Sequence, residues 1–544
     1  MSNARFSVPQ PYNEPMRLYV PGSTEREELK AELRRQTELT GLRIPLIIGG
    51  KEIHTDKTID VRIPHNHKHL LATCSLATPK ELDLAVSEAL KAKHAWERMP
   101  WHDRAAIFLK VADLLSGPYR AVINAATMLG QGKTARESEV DAACELADFL
   151  RYNVFYAQEI YSEQPQNETG VWNRMIYRPL EGFVAAISPF NFTAIAGNLC
   201  TAPAILGNVL VWKPATSSVL SNYYLMKIYE EAGMPAGVIN FVPSSGGEFG
   251  NNVLMHRSMA GLHFTGSTEV FRSIWQQIGS NLANYVVYPR LVGETGGKDF
   301  IFAHNSTNVD QLVAAMFNGA FEYQGQKCAC ASRAYVPESL WPEVSQKLLA
   351  AIAKLKVGDV SDFTNYCGAV IDKKAYSKIC EYLDFAKENA DLDVLCGGGY
   401  DDSVGWFIEP TLVVSKTPDS KLMVEEIFGP VLTVYVYADS DFEEALKLCD
   451  NGSEYALTGS IFAKERTVLE LMADALSNAA GNLYINDKPT GSVVGRQPFG
   501  GARGSGTNDK AGSALNMQRW VSVQTVKESF NMSSTIGYPL QKEE

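Results

Sequence analysis

The sequence predicts an α/β protein with two doubly wound domains, and three observations carry that prediction. Short apolar runs of strand character recur at 182–187, 208–212, 238–242 and 261–264. Stretches of helical periodicity lie between them, and Gly, Pro or Ser bounds each run. Apolar strands alternating with helices build parallel sheets that are covered on both faces. The chain has 544 residues, more than one core organises, so two or three domains are expected.

The elements follow in order. Residues 23–40 carry charged helical spacing, with Ser23 or Thr24 as the cap. Helical patterns dominate 79–158. The polar segment 163–178, with Asn167-Glu-Thr-Gly170, predicts a hairpin. A second strand and helix series starts near Leu291, with helices at 309–323 and 338–355. Residues 519–528 alternate apolar and polar and predict a strand. Extensions of this two-part kind pair between subunits through exposed strand edges.

Composition narrows the function. A net charge of −12 and the lack of a basic stretch exclude a nucleic-acid or anionic-membrane partner. No apolar run reaches the roughly 18–20 residues that span a bilayer. The N-terminal Met1-Ser-Asn-Ala-Arg-Phe-Ser-Val-Pro-Gln-Pro11 lacks the apolar core of a secretory signal and is not an Arg-rich transit peptide. A bacterial cytoplasm is the expected compartment, or the mitochondrial matrix after removal of a targeting segment. Nine scattered cysteines fit reduced thiols and not a disulfide framework. Cys328 and Cys330 form C-x-C without neighbouring Cys or His, so no metal is expected.

Two segments carry chemistry. One is Gly325-Gln-Lys-Cys-Ala-Cys330, and the other, upstream, is Gly293-Glu-Thr-Gly-Gly-Lys298. A thiol at Cys328 supplies a nucleophile and a carboxylate at Glu294 a base that activates water. Together they can oxidise an aldehyde through a thioester and then hydrolyse it. A cysteine taken alone reads as a buried structural thiol, and a glutamate taken alone reads as surface. Gly296 and Gly297 instead mark a tight loop that brings backbone close to a ligand. Asn191, Lys213 and Ser267 each follow a predicted strand, where ligands of doubly wound sheets bind.

Six blocks in order resemble the aldehyde dehydrogenase superfamily. They are Ile187-Ser-Pro-Phe-Asn-Phe192, Val211-Trp-Lys-Pro-Ala215, Phe264-Thr-Gly-Ser-Thr-Glu269, the Glu294 and Cys328 segments, and Glu425-Glu-Ile-Phe-Gly-Pro430. The resemblance implies a Rossmann-type NAD-binding domain over 1–162 and 182–290 and an α/β catalytic domain over 291–510. A β-hairpin oligomerisation extension over 163–181 and 515–535 completes it and implies a homodimer or higher homo-oligomer. The extended segments 181–198, 289–298 and 491–509 are similar to one branch of the family, which oxidises L-glutamate γ-semialdehyde to L-glutamate in proline catabolism.

The same resemblance implies the roles. Cys328 is the nucleophile, Glu294 the base, and Asn191 with the Cys328 N–H the oxyanion donors. NAD is held by Ser188, Phe190, Lys213, Gly266, Ser267, Glu426 and Phe428. The substrate is held by Glu145, Phe192, Gly491, Ser492 and Phe499, with Gly491 and Ser492 offering successive amides to its carboxylate. Glu145 reads equally as a solvated helix acid, and only one of Glu425 and Glu426 can point inward. Three positions depart from the pattern: Phe271 where many members carry Gly, Thr216 where a Glu often meets the ribose, and Ala329 where the branch has Ser. Ala329 keeps another semialdehyde substrate, such as succinate semialdehyde, open as an alternative. A non-catalytic protein with the same fold is the other alternative, and the intact Cys328, Glu294 and Asn191 argue against it.

Overall fold

The structure is a computed structural model that describes residues 6–541; the first five residues of the N-terminal stretch lie outside it. Two seven-stranded sheets organise it. The first runs Arg290–Glu294, Met259–Thr265, Phe183–Ile187, Leu210–Lys213, Ile239–Phe241, Leu46–Ile48, Lys51–Ile53. Its first five strands are parallel and the last two join antiparallel. Phe183, Val184, Ala185 and Ala186 are wholly buried because the sheet is covered on both faces, so the strand reads as a continuous apolar run.

Strand order places the site. From Phe183–Ile187 the chain builds outward through Leu210–Lys213 and Ile239–Phe241, then crosses back to Met259–Thr265 on the other side. A crevice opens beyond the carboxyl ends at such a reversal. Ser188 to Phe192 leave one flank of it, and Gly266 with Ser267 leave the other.

The second sheet runs Leu392–Cys396, Thr411–Ser415, Val431–Tyr437, Ala331–Pro337, Asp299–Ala303, Thr458–Phe462, Asn482–Ile485. All are parallel except the Leu392–Cys396 edge. Glu294 ends a strand of the first sheet and Asp299 opens one of the second. The carboxyl edge of one sheet therefore meets the amino edge of the other across four residues.

Three expectations are corrected. The boundary at 291 falls inside Arg290–Glu294, which pairs with Met259–Thr265 and belongs to the first sheet. The second series opens at Asp299–Ala303 instead. The stretch before Arg290 is polar and irregular, so the strand after it looked like a new beginning. The segment 163–178 is not a hairpin: Val171–Pro179 is one strand, paired antiparallel along its length with Val521–Ser529. Local turn residues suggested a nearby partner, and the true one lies far along the chain. The predicted helix 338–355 narrows to Trp341–Ile352.

Residues 6–22 form an arm with no helix or strand, yet buried ions hold it. Glu14 accepts from Arg120 Nη1 at 2.6 Å and from Arg151 Nη1 at 2.9 Å. Arg120 also pairs with Glu139, and the two are 3% and 1% exposed. Glu139 takes further bonds from Arg17 N, Tyr19 Oη and Asn124 Nδ2. Removing one partner of a buried ion pair leaves the other uncompensated. Glu139→Ala is therefore expected to cost about 3–5 kcal/mol. Urea unfolding measures it, and a loss under about 1 kcal/mol, the range of an exposed pair, would contradict the buried network.

Candidate active site

Cys328 sits in a turn closed by Cys330 N donating to Lys327 O at 3.1 Å, just before the strand Ala331–Pro337. The chain reaches it through three left-handed residues, Tyr323 (φ 52°), Gln324 (φ 52°) and Gly325 (φ 68°). Such backbone costs about 1–2 kcal/mol per non-glycine residue, so other contacts must fix it. Tyr323 N donates to Glu137 Oε1 at 2.6 Å and its hydroxyl to Gln131 O at 2.8 Å. Gln324 Nε2 donates to Gly132 O and Ala369 O, both at 2.9 Å. At Gly325 a Cβ would lie 2.1 Å from Gly429 O, so only glycine fits.

Asn191 is buried and its Nδ2 donates to Gln326 O at 3.0 Å, tying the crevice of the first sheet to the cysteine loop. Its second amide hydrogen takes no part in that bond. Among the described residues the Cys328 N–H donates to nothing. Burial pushes the Cys328 thiol well above its ordinary value, and Asp299 and Glu294 add to the rise. The resting group is the thiol.

Glu294 is locked through its backbone: Gly266 N donates to its carbonyl at 3.2 Å, and it bridges to Gly506. Among the described residues its carboxyl accepts only a long bond from Gly501 N, at 3.3 Å. Burial dominates and lifts its pKa well above the carboxylate range. Gly500 leaves room, since a Cβ there would come within 3.1 Å of Glu294 Oε1.

The residues expected to hold the cofactor gather along the first sheet's carboxyl edge. Ser188 Oγ accepts from Trp212 Nε1 at 3.0 Å, and Ser188 N donates to Lys213 O at 3.2 Å. Among the described residues nothing pairs with Lys213 Nζ, and burial lowers its pKa to about 8. An unpartnered buried cation in a crevice fits a ligand rich in oxygen. Ser267 caps the helix Thr268–Ser280, whose free N–H groups suit phosphate. From the second domain Glu426 points inward and accepts from Gly297 N at 2.9 Å, whereas Glu425 accepts from Tyr382 Oη. Phe428, in the left-handed region at φ 61°, meets Phe190 edge-on at 5.9 Å. The unusual Phe271 stacks on Phe264 at 5.2 Å and covers Gly293, where a Cβ would fall 2.2 Å from its ring.

One cavity of about 520 Å³ collects Cys328, Glu294, Ala329, Glu145, Phe192, Phe499, Gly491 and Ser492. Glu145 is thus no solvated helix acid, and burial together with Asp141 raises its pKa well above the usual range. Among the described residues the N–H groups of Gly491 and Ser492 have no acceptor. Ala329 presents no hydroxyl here.

The sequence reading missed the charged wall of this cavity. Lys327 pairs with Asp141 at 3.1 Å and Glu322 at 3.6 Å. Burial opposes its charge, but those acids prevail and raise its pKa. Lys133, wholly buried, pairs with Asp141 at 2.5 Å and lies 4.4 Å from the Phe192 ring. Lysines mark solvated faces in most sequences, so only the position of Lys327 beside Cys328 could have signalled this. Asn13 and Glu14 of the arm also line the cavity, and no pattern in the sequence points to them.

A nucleotide-type sheet that brings an amide and a carboxyl to a thiol on a second sheet has the layout of a thiol-dependent dehydrogenase. The chain belongs to the aldehyde dehydrogenase family, whose model matches residues 52–526. It is 52% identical over 539 residues to the mitochondrial delta-1-pyrroline-5-carboxylate dehydrogenase of Dictyostelium discoideum, covering 98% of this chain and 96% of that one. The human protein of that name is 48% identical over 520 residues, covering 95% and 92%. The crystal structure of the Mycobacterium tuberculosis Delta-pyrroline-5-carboxylate dehydrogenase bound with NAD superposes with a TM-score of 0.96 at 48% identity, over 100% of both chains.

The raised thiol has a direct readout. Without cofactor, Cys328 is expected to react slowly with iodoacetamide at pH 7, and faster as pH climbs past the ordinary thiol value of about 8.5. Mass spectrometry of the alkylated peptide follows the rate. A rate already maximal at pH 7 would show a thiolate and overturn the assignment.

Proposed function

We propose that the protein oxidises L-glutamate γ-semialdehyde, the open form of Δ1-pyrroline-5-carboxylate, to L-glutamate with NAD. The observation that carries this reading is the single cavity that joins the Cys328 thiol to two unpaired amides at Gly491 and Ser492. A chain with an aldehyde at one end and a carboxylate at the other fits between them. Names of relatives such as the Dictyostelium and human proteins point the same way.

Cys328 Sγ loses its proton and attacks the aldehyde carbon. The developing oxyanion is met by the free hydrogen of Asn191 Nδ2 and by the Cys328 N–H, donors of a kind worth about 2.7–4 kcal/mol each. NAD, when bound, supplies the oxidant that accepts hydride. Lys213, Ser267 and Glu426 orient it, and Phe190 and Phe428 shape the space for its ring. Glu294 then takes a proton from water, which attacks the thioester and frees the acid. Phe192 and Phe499 flank the aliphatic stem. The substrate ammonium faces Glu145, and an opposite charge there draws off that carboxyl's proton.

The ribbon of Val171–Pro179 and Val521–Ser529 exposes Trp172, Ile176 and Val523. Those apolar side chains suit a second copy of the chain, which supports a homodimer or higher homo-oligomer. The compartment follows the organism: cytoplasm in a bacterium, mitochondrial matrix in a eukaryote.

Cys328→Ala is expected to abolish NADH formation while NAD affinity stays within about twofold, because it removes a step and not the cofactor site. Turnover near wild type would sink the mechanism. Glu294→Gln should give a burst of NADH and then a slow steady state. In the wild type the hydrolytic phase should rise with pH, since the raised Glu294 must be deprotonated to act. Equal burst and steady rates in the variant would remove Glu294 from the base role. With NAD, kcat/KM for glutamate γ-semialdehyde should exceed that for succinate semialdehyde by about tenfold or more, a ratio set by contacts to the amino group. The reverse ranking would favour the succinate reading that Ala329 allows.

A further inference from the structure

The arm that lines the cavity also grips the loop that carries the unpaired amides. Asn13 Nδ2 donates to Val494 O at 2.8 Å and to Asp148 Oδ2 at 2.9 Å. Its Oδ1 accepts from Arg496 Nε at 3.0 Å. The side-chain amide thus spends both its hydrogens and one lone pair. Two of the three bonds go to the loop and one to the helix Glu145–Ser162.

Val494 packs its side chain into the core, but few other hydrogen bonds hold the loop. Val493 N donates to Gln497 Oε1, and the N–H groups of Arg496 and Gln497 donate to Val493 O. These bonds close the loop on itself. Among the described residues, the hydrogen bonds that leave 493–497 both end on Asn13. Packing adds a contact that fixes depth and not register: Gly495 lies against Tyr152, where a Cβ would come 2.1 Å from the ring. Gly491 and Ser492 immediately precede this stretch, with Gly491 at φ 88°.

The arm itself cannot drift. Glu14, next to Asn13, is held between Arg120 and Arg151, and its N–H donates to Asp148 Oδ1 at 2.6 Å. Asp148 accepts from both neighbours, so one carboxylate of the helix holds the arm, and Asn13 carries the contact on to the loop.

We propose that Asn13 is a positioning residue that sets the Gly491 and Ser492 amides for the carboxylate end of the substrate. The inference rests on the glutamate γ-semialdehyde reading above. Ala329 makes it weigh more, because no hydroxyl beside the nucleophile shares the task. Asn13 acts through the loop and touches no reacting atom. Its loss should therefore weaken carboxylate-bearing aldehydes and spare neutral ones.

The test compares glutamate γ-semialdehyde with propanal, at saturating NAD, for the wild type, Asn13→Ala and Arg496→Met. Asn13→Ala should raise KM for the semialdehyde about tenfold with kcat within about twofold, the pattern of lost uniform binding. KM for propanal and for NAD should stay within about twofold. Arg496→Met, on an exposed side chain, should shift KM the same way by about threefold, the scale of one hydrogen bond. An equal loss for both aldehydes would make Asn13 merely structural, and no change for either would remove its role; each result overturns the proposal. Should Asn13→Ala not fold, Arg496→Met decides on the same criterion. If the wild type itself shows no preference for the semialdehyde over propanal, the substrate reading fails, which is a separate outcome.

Discussion

The hydrogen bond from Asn191 Nδ2 to the Gln326 carbonyl joins the two halves of the site. Asn191 stands at the switch point of the first sheet, and Gln326 stands two residues before the thiol. The bond fixes their relative position and uses one of the two amide hydrogens. Glu294 obeys the same geometry from the other flank, since its strand ends where the second domain begins. The site exists because two sheets meet edge to edge, and a small polar contact holds that meeting in register.

Burial sets the electrical character of the cavity. Cys328, Glu294, Glu426, Glu145 and Asp299 all have pKa values raised by removal from water. A single backbone N–H, as at Gly501 or Gly297, does not offset that penalty. Glu322 is the contrast: burial also opposes its charge, yet Lys327 and Lys488 pull it down to about 2. The difference is a close cation, which is worth more than one neutral donor. The cavity thus favours the neutral form of the reacting groups and the charged form of the Lys327 and Glu322 pair beside them.

The sequence made the first sheet legible because strands buried on both faces leave apolar runs that cannot be mistaken for helix, and glycine and proline punctuate them. It also exposed Cys328 and Glu294, since tight loops demand glycines at fixed places. The expected placement at strand ends is met in the first sheet, where Asn191 and Ser267 follow their strands and Lys213 ends its own. It did not extend to the second sheet, where Cys328, Glu426 and Phe428 all precede their strands. The family resemblance grouped 163–181 with 515–535, but local pattern alone did not pair those strands, and the grip of Asn13 on Val494 was invisible, for one reason. Contacts between residues hundreds of positions apart leave no local period.

The left-handed run Tyr323-Gln324-Gly325 is held from both domains. Its compensating bonds come from Gln131, Gly132 and Glu137 of the first domain and from Ala369 of the second. Neither domain alone can hold the loop in that shape. The setting of the thiol is thus a joint product of both domains, and a shift of one against the other moves the loop that carries it.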